Sequence, residues 1–218
     1  MAGPRWSGIE RALRAEHGPL LVGVDEVGRG PLAGPVVACA IVMPPPDIAR
    51  AIAGVDDSKL LDAARRVVLA ERIAMRALAM GLGAASAREV DRLNIYHATV
   101  LAMQRALARC SRLLESRGHG PPDHVLVDGL PLKTLGVPHT AVVKGDAQCY
   151  AIACASIVAK VTRDRLMTRL AVRYPDFDWQ RNAGYGTPAH RLAVSRAGLT
   201  PHHRRSFCRA IVIESSQP

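Results

Sequence analysis

Aromatic side chains are scarce in this chain of 218 residues: Phe, Trp and Tyr together make up 4%. A core must therefore be assembled mainly from Ala, Val, Leu and Ile, within a hydrophobic fraction of 49%. No two cysteines have CxxC spacing, and the five present (Cys39, Cys110, Cys149, Cys154 and Cys208) are odd in number. Both facts argue against a disulfide framework or a thiolate zinc site, and for a reducing compartment. No run of about 18 uncharged apolar residues occurs, which excludes a membrane-spanning helix. The segment Met1–Gly18 lacks the apolar centre of a secretion signal, so the expected location is the cytoplasm. No internal repeat or low-complexity tract is present. Acids are also in deficit: 19 Asp plus Glu face 29 Lys plus Arg, a net charge of +10. Such an excess often meets a polyanion, and nucleic acid is the commonest one.

Residues 1–17 read as a short lead-in with a helical turn around Ile9–Ala15. Leu20–Val24 has the pattern of a buried strand ending in acid at Asp25 and Glu26. A Gly- and Pro-rich turn over Gly28–Gly34 leads into a second apolar run, Val36–Met43, closed by prolines; this suggests adjacent antiparallel strands. Helical spacing over Leu60–Met80 predicts a helix stopped by Gly81. Ser86 with Glu89 fits a capping box, and a further helix is expected from about Tyr96 to Ser116. His124–Val127 and His139–Val143 read as two more short strands, followed by Asp128 and by Lys144-Gly-Asp146. A long helix is expected up to about Arg173, ended by Pro175. Thr187-Pro188 and Gly198 then frame another. This order describes a mixed α/β sheet protein with a helical C-terminal part.

Acids thus stand at or just after the ends of three predicted strands. In α/β sheets the carboxyl ends of strands form the natural ligand crevice. Carboxylates gathered there repel one another and stay ionised only beside cations. Hard oxygen ligands without Cys or His select Mg²⁺ or Mn²⁺ over zinc. Two such ions roughly 4 Å apart can activate a water and stabilise the leaving oxygen in phosphodiester cleavage. Each acid also has a structural reading: Asp146 as a helix N-cap, and Asp128 with Gly129 as an ordinary turn. The adjacent pair Asp25-Glu26 beside an apolar run is harder to explain that way, because its desolvation serves no folding need. Gly28–Ala33 formally matches a GxGxxA dinucleotide fingerprint, but a Val- and Ile-rich run follows where that motif needs a helix. Small glycines there would instead let a ligand approach the backbone closely. Asp164, four residues after Lys160, reads as an ion-pair partner.

The stretch Val24-Asp-Glu-Val-Gly-Arg-Gly-Pro-Leu-Ala-Gly-Pro-Val36 resembles the signature of the ribonuclease HII family. Similar blocks follow in that family's order. They are Asp57-Ser-Lys59, Leu93-Asn-Ile95, Val125–Gly129, Val143–Asp146, Ala155–Asp164, Gly184–Thr187 and His202–Phe207. The resemblance implies a ribonuclease H-like fold, a five-stranded mixed sheet flanked by helices with a C-terminal helical extension. It implies that Asp25, Glu26, Asp128 and Asp146 are catalytic and bind the metal, Mn²⁺ or Mg²⁺, as a two-metal site in the substrate complex. It implies that Gly28, Arg29 and Gly30 contact the ribonucleotide and sense its 2′-hydroxyl, the group that tells RNA from DNA. Tyr185 is similar to the family tyrosine that packs on the next sugar; on its own it reads as a turn residue between two glycines. Lys59, Lys144, Arg204 and Arg205 are candidate phosphate contacts, and His202 and His203 are expected to make backbone or phosphate contacts. The implied partners are RNA–DNA hybrid and duplex DNA containing ribonucleotides, met by a monomer. The expected division is a lead-in over 1–17, a domain over 18–207 whose catalytic core runs to about 174, and a tail over 208–218. The pattern departs from the family where Leu60-Leu-Asp62 follows Lys59 and where Ala183 precedes Gly184; both lose possible phosphate contacts. The competing class is a non-catalytic basic module that binds duplexes, which has no use for clustered acids.

Overall fold

In the computed structural model, which describes residues 8–45 and 51–214, five strands form one mixed sheet. Its members are β1 (Leu21–Val27), β2 (Val36–Val42), β3 (Ala79–Ala85), β4 (His124–Asp128) and β5 (His139–Val142). The spatial order is β3-β2-β1-β4-β5. β1 is central, antiparallel to β2 and parallel to β4. The parallel pairing leaves both flanking faces to be covered by helices. On one face lies α3 (Ala87–Ser116), packed on Val22, Val24, Ala38, Ala40 and Val127. On the other lie α2 (Ala63–Arg76) and α4 (Tyr150–Arg173), packed on Cys39, Ile41 and Met43. Alternation along a strand decides which residue meets which helix. A third layer of short helices follows: α5 (Trp179–Asn182), α6 (Pro188–Ala197) and α7 (Arg205–Glu214). Its own core is built around Phe177, Trp179, Met167 and Leu32. This is the ribonuclease H-like fold with a helical C-terminal part.

An N-terminal helix, α1 (Gly8–His17), precedes the sheet. Its buried Glu10 accepts the Tyr150 and Ala151 N–H groups at 3.0 and 3.1 Å, so an acid satisfies two buried first-turn donors of α4 at its positive end. Ser86 and Glu89 form the expected capping box. Asn94 breaks the helical path inside α3 (φ 66°, ψ 169°), and its Oδ1 accepts the His97 N–H to restart the helix. Thr187 caps α6, with Pro188 in the first turn and Gly198 at the end. All five cysteines are buried.

Two expectations fail. The helix expected over Leu60–Met80 ends at Arg76, and Gly81 lies inside β3 instead of stopping a helix. Glycines at alternate positions look like a break, yet here they admit a close helix. A β-carbon on Gly81 would stand 2.2 Å from the Ala106 carbonyl oxygen, and one on Gly83 2.0 Å from that of Ala102. The small residues Ala98, Ala102 and Ala106 complete this approach from the α3 side. Second, β1 does not end at Val24; it runs through Asp25 and Glu26, which pair with Cys39 and Ala38 of β2.

The close approach is testable. Gly83→Ala should cost about 1–3 kcal/mol, because backbone and not a flexible side chain blocks the added methyl. Thermal melting should show a fall of roughly 2–4 °C per kcal/mol; an unchanged melting temperature would show that α3 yields freely.

Candidate active site

β1 and β4 run parallel with Val24 opposite Val127. One step further along the two strands come Asp25 and Asp128, so neighbouring strands deliver two carboxylates side by side. Both share strand parity with Leu21, Leu126 and Gly23, the residues that face α4. Gly23 itself is required, because a β-carbon there would stand 2.3 Å from the Ala151 backbone. Glu26 follows Asp25 directly, and its N–H donates to Asp25 Oδ1 at 2.7 Å. The fourth acid, Asp146, is buried in a single 3-10 turn, Gly145–Ala147, between β5 and α4. That turn is tied to β4: the Gly145 N–H donates to Asp128 Oδ1 at 2.6 Å. Asp146 does not cap α4, whose N-cap is Cys149.

Asp25, Glu26 and Asp128 line one cleft of about 500 Å³ together with Ser156, Lys59 and Tyr185. Burial, then the charges of Glu26 and Asp128, pushes the Asp25 carboxyl well above its ordinary range; the Ser156 hydroxyl opposes this. Burial raises Glu26 as well, against the charge and hydrogen bond of Arg29. Asp128 is raised by burial and by Asp146, and held back by the Gly145 N–H and Lys59. These groups suffer desolvation and mutual repulsion with too little positive charge to relieve it. Two cations answer in part. Lys59 Nζ sits 3.2 Å from Asp146 Oδ2, and Arg29 Nη1 3.3 Å from Glu26 Oε1. Burial alone would lower the Lys59 ammonium, but its bond to Asp146 and the nearby carboxylates carry it upward instead.

Oxygen donors of this kind suit a hard divalent cation, and Lys59 occupies the place of a positive charge beside them. Among the described residues no three His, Cys, Asp or Glu groups are drawn together tightly enough to hold an ion. The acids therefore fit a metal in donor type, while leaving coordination positions to be filled by other oxygens.

Beside the acids, Gly28 has φ +88°, and a β-carbon on it would stand 2.1 Å from Arg163 Nε. Glycine is obligatory there for conformation and space. Gly30 differs: the nearest atom to an added β-carbon is Tyr185 Cε1, 3.8 Å away. The fold does not require that glycine, and its small size leaves room beside the Tyr185 ring. A strand, not a helix, follows these glycines, so the dinucleotide reading is excluded. Tyr185 is 46% exposed and lines the cleft. Lys144 is exposed two residues before Asp146, in the left-handed conformation (φ 55°).

Arg204 is a correction. It is fully buried and cannot meet a phosphate from the surface. Its guanidinium donates to the Gly28, Arg29 and Gly34 carbonyls at 2.5–3.1 Å. Burial and the neighbouring Arg163 draw it down to about 10, still charged at neutral pH. Arg163, equally buried, donates to Ala33, Pro35 and Ala183 carbonyls. A planar fork of five donors matches such a cluster of carbonyls as a lysine could not. His203 is also withdrawn from solvent; it bonds His190 and Thr200. Arg205 and Ser206 start α7, with their N–H groups capped by Asp91. Lys160 pairs with Asp164 at 2.8 Å, as its spacing suggests. Sequence reasoning assigned no role to Ser58, Ser156, Arg66 or Arg163, although three of them lie inside the motif blocks. Ser156 and Ser58 share a hydrogen bond of 2.9 Å behind Asp25. Arg66 Nη1 holds the Ser58 and Leu61 carbonyls, which fixes the loop carrying Lys59.

The sequence pattern described as Ribonuclease HII matches residues 22–210. The chain belongs to the ribonuclease HII family. It is 54% identical over 187 residues to a Ribonuclease HII of Synechococcus sp. (strain JA-3-3Ab), covering 86% of this chain and 80% of that protein. It is 52% identical over 197 residues to one of Granulibacter bethesdensis, covering 89% and 86%. Among solved structures it is similar to the ribonuclease H2 of Pyrococcus horikoshii OT3, with TM-score 0.75 and 25% identity over 91% of this chain and 99% of that one. Membership makes this protein a ribonuclease H. No described helix is long and apolar enough to cross a membrane.

The electrostatics fix the sign of a stability test. Asp25 and Glu26 have folded-state pKa values above their unfolded ones. Their favourable contribution is present below the ordinary carboxylate range and is lost as pH rises through the raised values. The metal-free protein should therefore lose this contribution with rising pH, and Mg²⁺ or Mn²⁺ should restore it by binding the folded state. Asp25→Asn should raise the metal-free melting temperature by roughly 2–4 °C per kcal/mol of repulsion relieved and should blunt the response to the ion. A divalent-cation shift of equal size in Asp25→Asn would contradict this.

Proposed function

We propose that this protein is an endonuclease that hydrolyses the RNA strand of RNA–DNA hybrids and incises 5′ of ribonucleotides embedded in duplex DNA, leaving 5′-phosphate and 3′-hydroxyl ends. One juxtaposition carries the reading: buried and half-buried acids that repel one another share a cleft with Tyr185, whose ring faces a Gly30 that the fold does not need. Asp25, Glu26, Asp128 and Asp146 would hold the divalent ions, Mn²⁺ or Mg²⁺, with substrate phosphate oxygens completing the coordination. Bound ions would supply an activated water and offset charge on the departing 3′ oxygen.

The chain's own residues supply the rest. Asp25 is held ready by Ser156, and Asp128 by the Gly145 N–H. Lys59 balances the charge of Asp146; with an ion held by that carboxylate it would be free for a phosphate. The backbone at Gly28–Gly30, clamped from behind by Arg204, offers donors and acceptors to the 2′-hydroxyl. Arg29, now paired with Glu26, would supply a second cation if Glu26 held an ion. Tyr185, across from Gly30, gives an apolar face to the following sugar. Lys144, exposed beside the Asp146 turn, extends the basic margin toward the backbone phosphates. A module that only bound duplexes would have no use for the buried acids, whose repulsion weakens the fold.

The test is incubation with duplex DNA carrying one ribonucleotide, with and without Mg²⁺ or Mn²⁺, and mapping of the nick. Cleavage should require the ion and fall 5′ of the ribonucleotide. Asp25→Asn should raise the barrier by about 3–4 kcal/mol or more, slowing cleavage roughly a hundredfold to a thousandfold or more, with the fold intact by circular dichroism. Robust ion-dependent cleavage by that variant would overturn the assignment.

A further inference from the structure

Behind Tyr185 lies a polar relay inside an apolar core. Trp179, His190 and His203 are 0%, 1% and 2% exposed, and Phe177 packs against all three rings. The contacts fix where each hydrogen sits. His190 Nδ1 lies 2.8 Å from the Tyr185 carbonyl oxygen, which can only accept, so Nδ1 carries the hydrogen. In a neutral ring His190 Nε2 is then an acceptor, and Trp179 Nε1–H donates to it at 3.1 Å. His203 Nδ1 accepts the Thr200 N–H at 3.0 Å, which leaves its Nε2 as donor to the same His190 nitrogen at 3.1 Å. Burial keeps both imidazoles below the ordinary histidine value, His203 at about 4, so both are neutral at physiological pH. Trp179 and His203 share the one lone pair of His190 Nε2, and the direction of the relay ends on one group: the backbone of Tyr185. The Tyr185 N–H is held in turn by the Asn182 carbonyl, and the Tyr185 carbonyl accepts the Thr187 N–H beside His190, both at 2.8 Å.

We infer that His190 is a positioning residue, whose Nδ1–H, oriented by Trp179 and His203, holds the Tyr185 backbone so that its ring stands over Gly30 and selects the sugar that follows the ribonucleotide. This rests on the reading of Tyr185 given above. Helix packing alone would not need two histidines and a tryptophan joined in one direction: apolar residues of similar volume would fill the space without buried polar atoms to satisfy.

The geometry separates two substitutions. In His190→Gln the side-chain oxygen can take the place of Nε2 and accept from Trp179 and His203, while the side-chain donor to Tyr185 is lost and only the Thr187 N–H remains on that carbonyl. In His190→Asn the amide can still donate to the Tyr185 carbonyl, while the deeper contacts are lost. The readout is the ratio of kcat/KM for a single ribonucleotide in duplex DNA to kcat/KM for a continuous RNA strand in a hybrid. His190→Gln should lower that ratio roughly fivefold, the worth of one neutral hydrogen bond. Tyr185→Ala should lower it at least as much, and the double variant no further. His190→Asn should keep the ratio within about twofold of the parent even where it melts earlier.

A folded His190→Gln with the parent ratio, beside a Tyr185→Ala with a lowered one, would refute the relay and spare Tyr185. Equal loss on both substrates in every His190 variant would reduce the histidine to a structural role and overturn the proposal. An unchanged ratio in Tyr185→Ala would sink the reading of Tyr185, and the relay with it.

Discussion

Repulsion between carboxylates is the constraint on which the site turns. Parallel pairing of β1 and β4, in the register Val24 opposite Val127, brings Asp25 and Asp128 to the same end of two neighbouring strands. Burial then denies them the water that would screen their charges. The neighbourhood is arranged around that cost. Lys59 lies on Asp146, Arg29 on Glu26, and Ser156 and the Gly145 N–H each support one carboxylate. None of these cancels the raised proton affinity of Asp25, Glu26 and Asp128. A site left short of positive charge in this way is built to receive more of it, and a divalent ion with a phosphate is the chemistry that matches.

The C-terminal helices give the site its second half. Residues 28–35 form a loop with little regular structure, and such a loop would not hold a fixed shape alone. Two fully buried guanidinium groups, from α4 and from the segment before α7, gather its carbonyls from behind. The Leu32 and Ala33 N–H groups reach the Gly184 carbonyl, and the Gly34 N–H reaches that of His202. The loop and Tyr185 are thus one assembly, held by buried polar contacts that are each satisfied. The apolar core around Trp179 and Phe177 fixes this layer against the end of α4.

Much of this was legible in the amino-acid sequence where local chemistry and position agree. Asp25-Glu26 beside an apolar run, the capping box at Ser86, and the cap and proline at Thr187-Pro188 each state their place within a few residues. Other features depend on what lies across the fold. β3 carries glycines that look like a helix stop, and only the approach of α3 explains them. Arg204 has the pattern of a surface cation in a basic stretch, yet the carbonyls that bury it come from residues 28–34. Lys144 likewise carries no local sign of whether it faces the cleft. The relay from Trp179 and His203 through His190 joins residues whose partners no short spacing reveals.

The most direct measurement is anomalous diffraction at the manganese edge from crystals holding Mn²⁺ and a duplex with one ribonucleotide. The result expected is manganese between the Asp25, Glu26 and Asp128 carboxylates, with Lys59 moved away from Asp146. Manganese bound elsewhere, with the Lys59–Asp146 pair intact and the duplex still engaged, would contradict the account.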